Sequence, residues 1–93
     1  MYLGNFIDGL KRKDQKIFFS GISFDSKKVA KNNIFFAIKG DKFDGNDYIN
    51  EAIKNGSNII ISEKRIKIKN KKVFFLRTNN IRKLLAEIVF KDL

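Results

Sequence analysis

Two short polar segments of the chain combine the side-chain types that can hold a nucleotide. One runs from Phe24 to Lys28, after a stretch that alternates like a strand, and the other runs from Gly40 to Gly45, after a continuous apolar run. An aromatic ring can stack on a base, hydroxyl and backbone N–H groups can bind polar atoms, and lysine can neutralise phosphate. The groups available are those of Asp25, Ser26, Lys27, Asp41, Lys42, Phe43 and Asp44.

A plainer interpretation of the same residues stays open. Asp25 can cap a turn, and Gly40 and Gly45 can supply backbone conformations with positive φ. On residue types alone, two ordinary turns and a ligand site are both consistent with these segments.

Composition excludes most other site chemistry. The chain of 93 residues has no Cys and no His. Its own residues therefore form neither a Cys/His zinc site nor a Ser-His-Asp or Cys-His catalytic group. It contains no Gly-x-x-x-x-Gly-Lys-Ser/Thr phosphate loop, so we do not expect it to hydrolyse ATP by itself. We predict no metal ligand, because no His accompanies the three loop aspartates.

The chain is strongly basic, with 20 basic and 10 acidic residues and a formal net charge of +10. A small nucleic-acid-binding module is one explanation. A compositional bias is the other, since Lys, Ile, Asn and Phe are abundant and Pro is absent. The excess charge lies largely in one connecting stretch, residues 63–72, and does not form a helical stripe, so we favour the bias. No apolar run approaches the roughly 20 residues of a membrane span, and the first residues do not resemble a signal peptide.

Hydrophobic periodicity predicts the elements that position the two polar segments. Strand-like stretches lie at 17–25, 34–38, 58–62 and 73–76, and helical patterns lie at 3–10, 47–55 and 81–89. The central strand, helix and strand form a βαβ unit, which makes its strands parallel. We therefore predict one domain over residues 1–93, an α/β fold with a small, mostly parallel sheet and flanking helices.

Local signals refine these elements. Asn46 or Asp47 is expected to cap the second helix and Thr78 or Asn79 the third. Gly56 is expected to end the second helix.

The other local signals concern turns, strands and the core. A turn is expected at Asn32-Asn33. Ile66 and Ile68 alternate with lysines, which suggests a short edge strand. The phenylalanine pairs at 18–19, 35–36 and 74–75 are interpreted as core and not as stacking platforms.

A series of motifs runs in order through nearly the whole chain. They are Asp25-Ser26-Lys27, residues 32–40, residues 43–49 with Asp44-Gly45-Asn46-Asp47, residues 52–56, Ser62-Glu63, and Arg82 with Leu85 and Ala86. In this order they resemble the N-terminal domain of the Mur ligases, the ATP-dependent amino-acid-adding enzymes of peptidoglycan synthesis. The chain departs from the family pattern at Lys27, where Arg is usual, at Lys31-Asn32, where Pro-Gly is usual, and at Asn46, where His is usual.

The resemblance implies a domain that binds the UDP-N-acetylmuramoyl (UDP-MurNAc) end of a precursor such as UDP-MurNAc-L-Ala-D-Glu. By position, the implied ligand contacts are Phe24, Ser26, Asp41, Lys42 and Phe43, and the implied loop-shaping residues are Asp25, Lys27, Gly40, Asp44 and Gly45. No residue matches a catalytic position of the family. ATP and Mg²⁺ are implied only for the complete enzyme, so this chain is expected to hold no cofactor and to be inactive alone.

The resemblance also implies a setting. It places the chain in the bacterial cytoplasm, beside the central ATPase domain of a complete ligase, with neither a membrane nor a nucleic-acid partner. Ser62-Glu63 and the arginine-bearing last helix favour members that add diaminopimelate or lysine. Members that add D-Ala-D-Ala, whose motifs are nearly the same, remain an alternative.

Overall fold

The computed structural model describes residues 1–91 and contains a four-stranded sheet in the order β1-β2-β3-β4. The strands are β1 (Gly21–Ser23), β2 (Asn33–Ala37), β3 (Ile59–Ser62) and β4 (Phe74–Arg77). All three neighbouring pairs are parallel. The predicted fold class is confirmed, and three strands lie within a residue or two of their predicted bounds. The strand predicted over 17–25 is shorter, because only Gly21–Ser23 pairs with β2.

The helices are α1 (Arg12–Gln15), α2 (Ile49–Lys54) and α3 (Ile81–Phe90). Short 3₁₀ turns lie at Leu3–Asn5, Ser26–Lys28 and Gly45–Tyr48. The helix predicted over 3–10 is wrong: only one 3₁₀ turn forms there, and Gly9 leaves helical geometry with φ +80°. Its apolar residues are nonetheless in the core, since Leu3 and Ile7 are buried.

The sheet buries both of its faces, which explains the continuous apolar runs at residues 34–37 of β2 and 59–61 of β3. One face packs against α3 and the N-terminal segment through Ile34, Phe36, Ile59 and Ile61. The other face packs against α2, through Phe35 and Ile60 among others. Among the phenylalanine pairs, only Phe18 is exposed, so the prediction that these pairs form core is confirmed apart from Phe18.

The helix ends differ from the predicted ones by a few residues. Asp44 caps the 3₁₀ turn that leads into α2, and Asn80 caps α3; Asn46, Asp47, Thr78 and Asn79 do not fill those positions. Gly56 follows α2 with φ +118°, as predicted for a helix end.

Two further local predictions have different outcomes. Asn32 takes the left-handed conformation predicted for the turn, with φ +66°. The edge strand suggested at Ile66 and Ile68 is not formed; both side chains pack on the α2 face of the core instead.

Candidate functional site

The two polar segments meet at one edge of the sheet. β1 and β2 are parallel neighbours, so the segments that follow them leave the sheet side by side. Between them lies a cleft of about 460 Å³, within the range of roughly 300–1,000 Å³ typical of small-molecule sites. Its lining residues are Phe24, Asp25, Ser26, Lys27, Phe35, Phe43, Gly45 and Tyr48.

Aromatic side chains stand open to solvent in the cleft. Phe24 and Phe43 are each 62% exposed, and Tyr48 is 38% exposed. The rings of Phe43 and Tyr48 meet edge to face, with centroids 5.7 Å apart. Large exposed rings in a concave site are available for stacking on a flat ligand group.

Two of these aromatic residues lie outside the strand and the α-helix predicted for them. Phe24 falls within the strand predicted over 17–25, but β1 ends at Ser23 and leaves the ring outside the core. Tyr48 falls within the helical pattern predicted over 47–55. It ends a 3₁₀ turn instead and lines the cleft, and sequence reasoning missed it as a site residue.

Ser26 is held in the cleft from two sides. Asp25 shapes its turn by accepting a hydrogen bond from the Lys27 backbone N–H (3.0 Å), which confirms the expected capping role. The Ser26 hydroxyl donates to the Glu51 carboxylate on α2, and its carbonyl accepts from Asn55 Nδ2 (2.9 Å). Ser26 is only 5% exposed. Sequence reasoning missed Glu51, because 25 positions separate it from its partner.

A polar network holds the second segment against the end of β3. Asp44 accepts hydrogen bonds from the backbone N–H (2.9 Å) and Nδ2 (2.7 Å) of Asn46, and pairs with Lys64 Nζ at 2.7 Å. Ser62 donates its hydroxyl proton to Asn46 Oδ1 and accepts from the Lys64 backbone N–H. The hydrogen bond from Lys64, followed by those from Asn46, lowers the pKa of Asp44 to about 2. The loop is therefore fixed at its base.

The glycines of this loop serve close approach and not positive φ. In the described chain only Gly9 and Gly56 are glycines with positive φ, so that prediction for Gly40 and Gly45 is wrong. A Cβ on Gly45 would lie 2.8 Å from the Ile38 backbone nitrogen. Gly40 donates its N–H to the Phe43 carbonyl (2.9 Å), which closes the loop between them.

The remaining predicted site residues surround the cleft without lining it. Asp41 and Lys42 are exposed at the tip of the loop, while Gly40 and Asp44 support its base. Across residues 1–91, no three Asp or Glu side chains come close enough to form a metal site. Over the same range, no helix is long and apolar enough to cross a membrane.

The basic stretch forms a separate surface. Arg65, Lys67 and Arg77 surround the half-buried Phe75 near the end of β4, in a shallow depression away from the β1 and β2 ends. Lys64, in the same stretch, pairs with Asp44 in the loop of the candidate site.

The chain resembles known proteins along most of its length. Residues 18–91 match the family profile described as "Mur ligase family, catalytic domain". A UDP-N-acetylmuramoyl-L-alanyl-D-glutamate--2,6-diaminopimelate ligase of Rickettsia prowazekii is 39% identical over 69 residues, which cover 74% of this chain and 14% of that protein. A UDP-N-acetylmuramyl-tripeptide synthetase of Borreliella afzelii is 36% identical over 77 residues, covering 78% of this chain and 15% of that protein. The chain thus spans about a seventh of the length of these relatives.

Solved structures have the same fold. The MurF ligase of Thermotoga maritima, crystallised with ADP, superposes with a TM-score of 0.63 at 33% identity, covering 72% of this chain and 15% of that one. A MurF structure from Acinetobacter baumannii gives a TM-score of 0.66 at 23% identity, covering 78% of this chain and 15% of that one. The second likeness concerns the fold alone.

Proposed function

The chain belongs to the Mur ligase family, and from this premise we propose that it is the N-terminal domain that binds the UDP-MurNAc part of a peptidoglycan precursor. The precursor proposed is UDP-MurNAc-L-Ala-D-Glu. The observation that carries the proposal is the cleft between the β1 and β2 ends, because three of the five ligand contacts implied by the family resemblance line it: Phe24, Ser26 and Phe43.

The cleft offers a chemically suitable surface for a uridine diphosphate group. Phe24 and Phe43 present exposed rings on which a base can stack. Lys27 in the cleft and Lys42 on the loop carry charges that can neutralise the diphosphate. We propose that Asp41 and Lys42 contact the part of the ligand that leaves the cleft.

We assign substrate binding, and not amide-bond formation, to these 93 residues. The sequence has no phosphate loop, so ATP and Mg²⁺ are proposed to bind the central domain of the complete ligase. That domain is the proposed partner of this one, and the complete ligase is proposed to act in the bacterial cytoplasm.

The added amino acid is proposed to be diaminopimelate or lysine. The curated relatives at 36–39% identity are named as the diaminopimelate-adding ligase and the tripeptide synthetase. Among the solved structures, one from Acinetobacter baumannii at 25% identity is named as a D-alanyl-D-alanyl ligase, and that activity is the alternative.

Ligand-observed NMR tests the binding function. Saturation transfer to the uridine protons of UDP-MurNAc-L-Ala-D-Glu is expected with the wild-type chain. The transfer should weaken strongly with Ser26→Ala and with Phe43→Ala, because each removes a group that lines the cleft. Uridine monophosphate and a short single-stranded RNA serve as comparison ligands.

The matched control reverses charge in the basic stretch of residues 63–72. Lys67→Glu combined with Lys69→Glu should leave uridine binding in place. Contrary results would be RNA binding without a preference for uridine that disappears in this control, which would favour the basic nucleic-acid module, or wild-type chain that binds no uridine ligand.

A further inference from the structure

The hydroxyl proton of Ser26 is already used in a hydrogen bond within the protein. In the Ser26–Glu51 pair the serine hydroxyl donates and the carboxylate oxygen accepts. A serine hydroxyl has one proton and two lone pairs. What Ser26 Oγ has left to offer the cleft is therefore acceptor capacity alone.

The position of this hydroxyl is fixed by α2. Glu51 accepts the hydrogen bond from the Ser26 hydroxyl, and Asn55 Nδ2 donates to the Ser26 backbone carbonyl oxygen at 2.9 Å. Ser26 is 5% exposed, so little room is available for the side chain to turn away from Glu51. The Ser26 hydroxyl makes no other hydrogen bond within residues 1–91.

We infer that Glu51 is a positioning residue that makes Ser26 an acceptor toward the ligand, so that the cleft selects a nucleotide presenting an N–H or O–H donor at this point. The inference rests on the proposed function and adds the chemistry of its specificity. Two groups of a uridine nucleotide fit: the N3–H of uracil, which cytosine lacks, and a ribose hydroxyl.

Isothermal titration calorimetry of the full chain with nucleoside diphosphates tests the inference. The ligands are uridine diphosphate, cytidine diphosphate and the 2′-deoxy and 3′-deoxy forms of uridine diphosphate. Wild-type chain should bind uridine diphosphate about tenfold more tightly than one of the three analogues, the value expected for one lost hydrogen bond. The penalised analogue identifies the donor.

The decisive variant is Glu51→Gln. Its amide can donate to Ser26 Oγ as well as accept, which frees the hydroxyl proton to turn toward the ligand. The preference should then fall to about threefold or less. The preference is the ratio of the dissociation constants for the penalised analogue and for uridine diphosphate. A change in affinity that the lost charge causes equally for both ligands cancels in this ratio.

Two further variants support the comparison. Ser26→Ala should lose the same preference, and it provides the test if Glu51→Gln does not fold. Glu87→Gln, at an exposed site on α3, removes an equal charge and should retain the wild-type preference.

The outcomes separate this inference from the proposed function. Wild-type chain that binds uridine diphosphate and all three analogues with equal affinity overturns the inference alone. A Glu51→Gln chain that keeps the wild-type preference for uridine diphosphate does the same. Wild-type chain that binds none of the nucleotides overturns both.

Discussion

At the scale of single residues, the Asp44 carboxylate at the base of the candidate site makes the free energy of unfolding depend on pH in acid. Its pKa falls from the ordinary 3.8 to about 2 because Lys64 and Asn46 donate to the carboxylate. The folded state therefore gains stability from this group above about pH 4 and loses it as the pH falls toward 2. The same hydrogen bond raises the pKa of Lys64.

Asp44→Asn should remove this contribution. The free energy of unfolding at neutral pH is expected to fall by about 1 kcal/mol, since the lysine of the pair is exposed and water screens it. Urea unfolding between pH 2 and pH 7 measures the effect, and the two chains should converge in stability near pH 2. Asp41→Asn, at an exposed carboxylate of the same loop, is the control, and an equal loss there would refute the role of the ion pair.

Position 45 requires glycine because the neighbouring backbone leaves no room for a side chain. An added Cβ would lie 2.8 Å from the backbone nitrogen and 2.9 Å from the backbone oxygen of Ile38, and neither can move without disturbing the end of β2. Gly45→Ala should lower the free energy of unfolding by about 1–3 kcal/mol. Gly21→Ala, whose Cβ meets only a side-chain atom at 3.4 Å, should cost much less; equal losses in thermal unfolding would contradict this explanation.

Residue types could predict the members of the site but not all of their partners. Ser26 and Phe43 follow from type and position after a strand. Glu51 and the Asn46–Ser62 bond do not, because those contacts span 25 and 16 positions and depend on how α2 and β3 pack. The positive φ expected of Gly45 was wrong because lack of a side chain, and not backbone freedom, is what the loop needs.

At the scale of elements, α3 is capped from two parts of the chain. Asn80 Oδ1 accepts from the Lys83 backbone N–H (3.1 Å), and Glu63 Oε2 accepts from the Ile81 backbone N–H (2.9 Å). The Ser62-Glu63 motif thus has a structural role at the end of β3, tying that strand to the helix that follows β4.

Asn80→Ala should lower the free energy of unfolding by about 0.5–2 kcal/mol, the usual cost of losing a cap. Asn79→Ala is the matched control. Within residues 1–91, Asn79 Oδ1 accepts only from the Arg77 side chain, so its loss should be nearly neutral in chemical denaturation. A larger effect at Asn79 than at Asn80 would restore the cap position predicted from the sequence.

Periodicity predicted the elements better than their ends. The apolar runs identified β2 and β3 because burial on both faces favours apolar side chains at successive positions, here residues 34–37 and 59–61. The cap of α3 was placed too early because the Thr78 backbone N–H still bonds to the Ser62 carbonyl (3.0 Å), so the chain remains in the sheet at that residue. The helix predicted over 3–10 failed because its apolar spacing fits a core-facing loop equally well.

At the scale of the whole molecule, the parallel order of the sheet creates the candidate site. Both polar segments follow strands that point the same way, so they meet at one edge, while the basic depression lies near the end of β4. The βαβ rule could predict that β2 and β3 are parallel, but not that β1 pairs with β2, on which this shared edge depends. The position of the basic stretch could not be predicted, because it depends on how Ile66 and Ile68 pack against the α2 face.

The most direct test is chemical-shift mapping of the ¹⁵N-labelled chain during titration with UDP-MurNAc-L-Ala-D-Glu. We expect saturable shifts concentrated at residues 24–27 and 43–48, with little change at residues 65–77. Shifts centred on residues 65–77, or no saturable shifts at all, would contradict the assignment of the substrate to the cleft between the β1 and β2 ends.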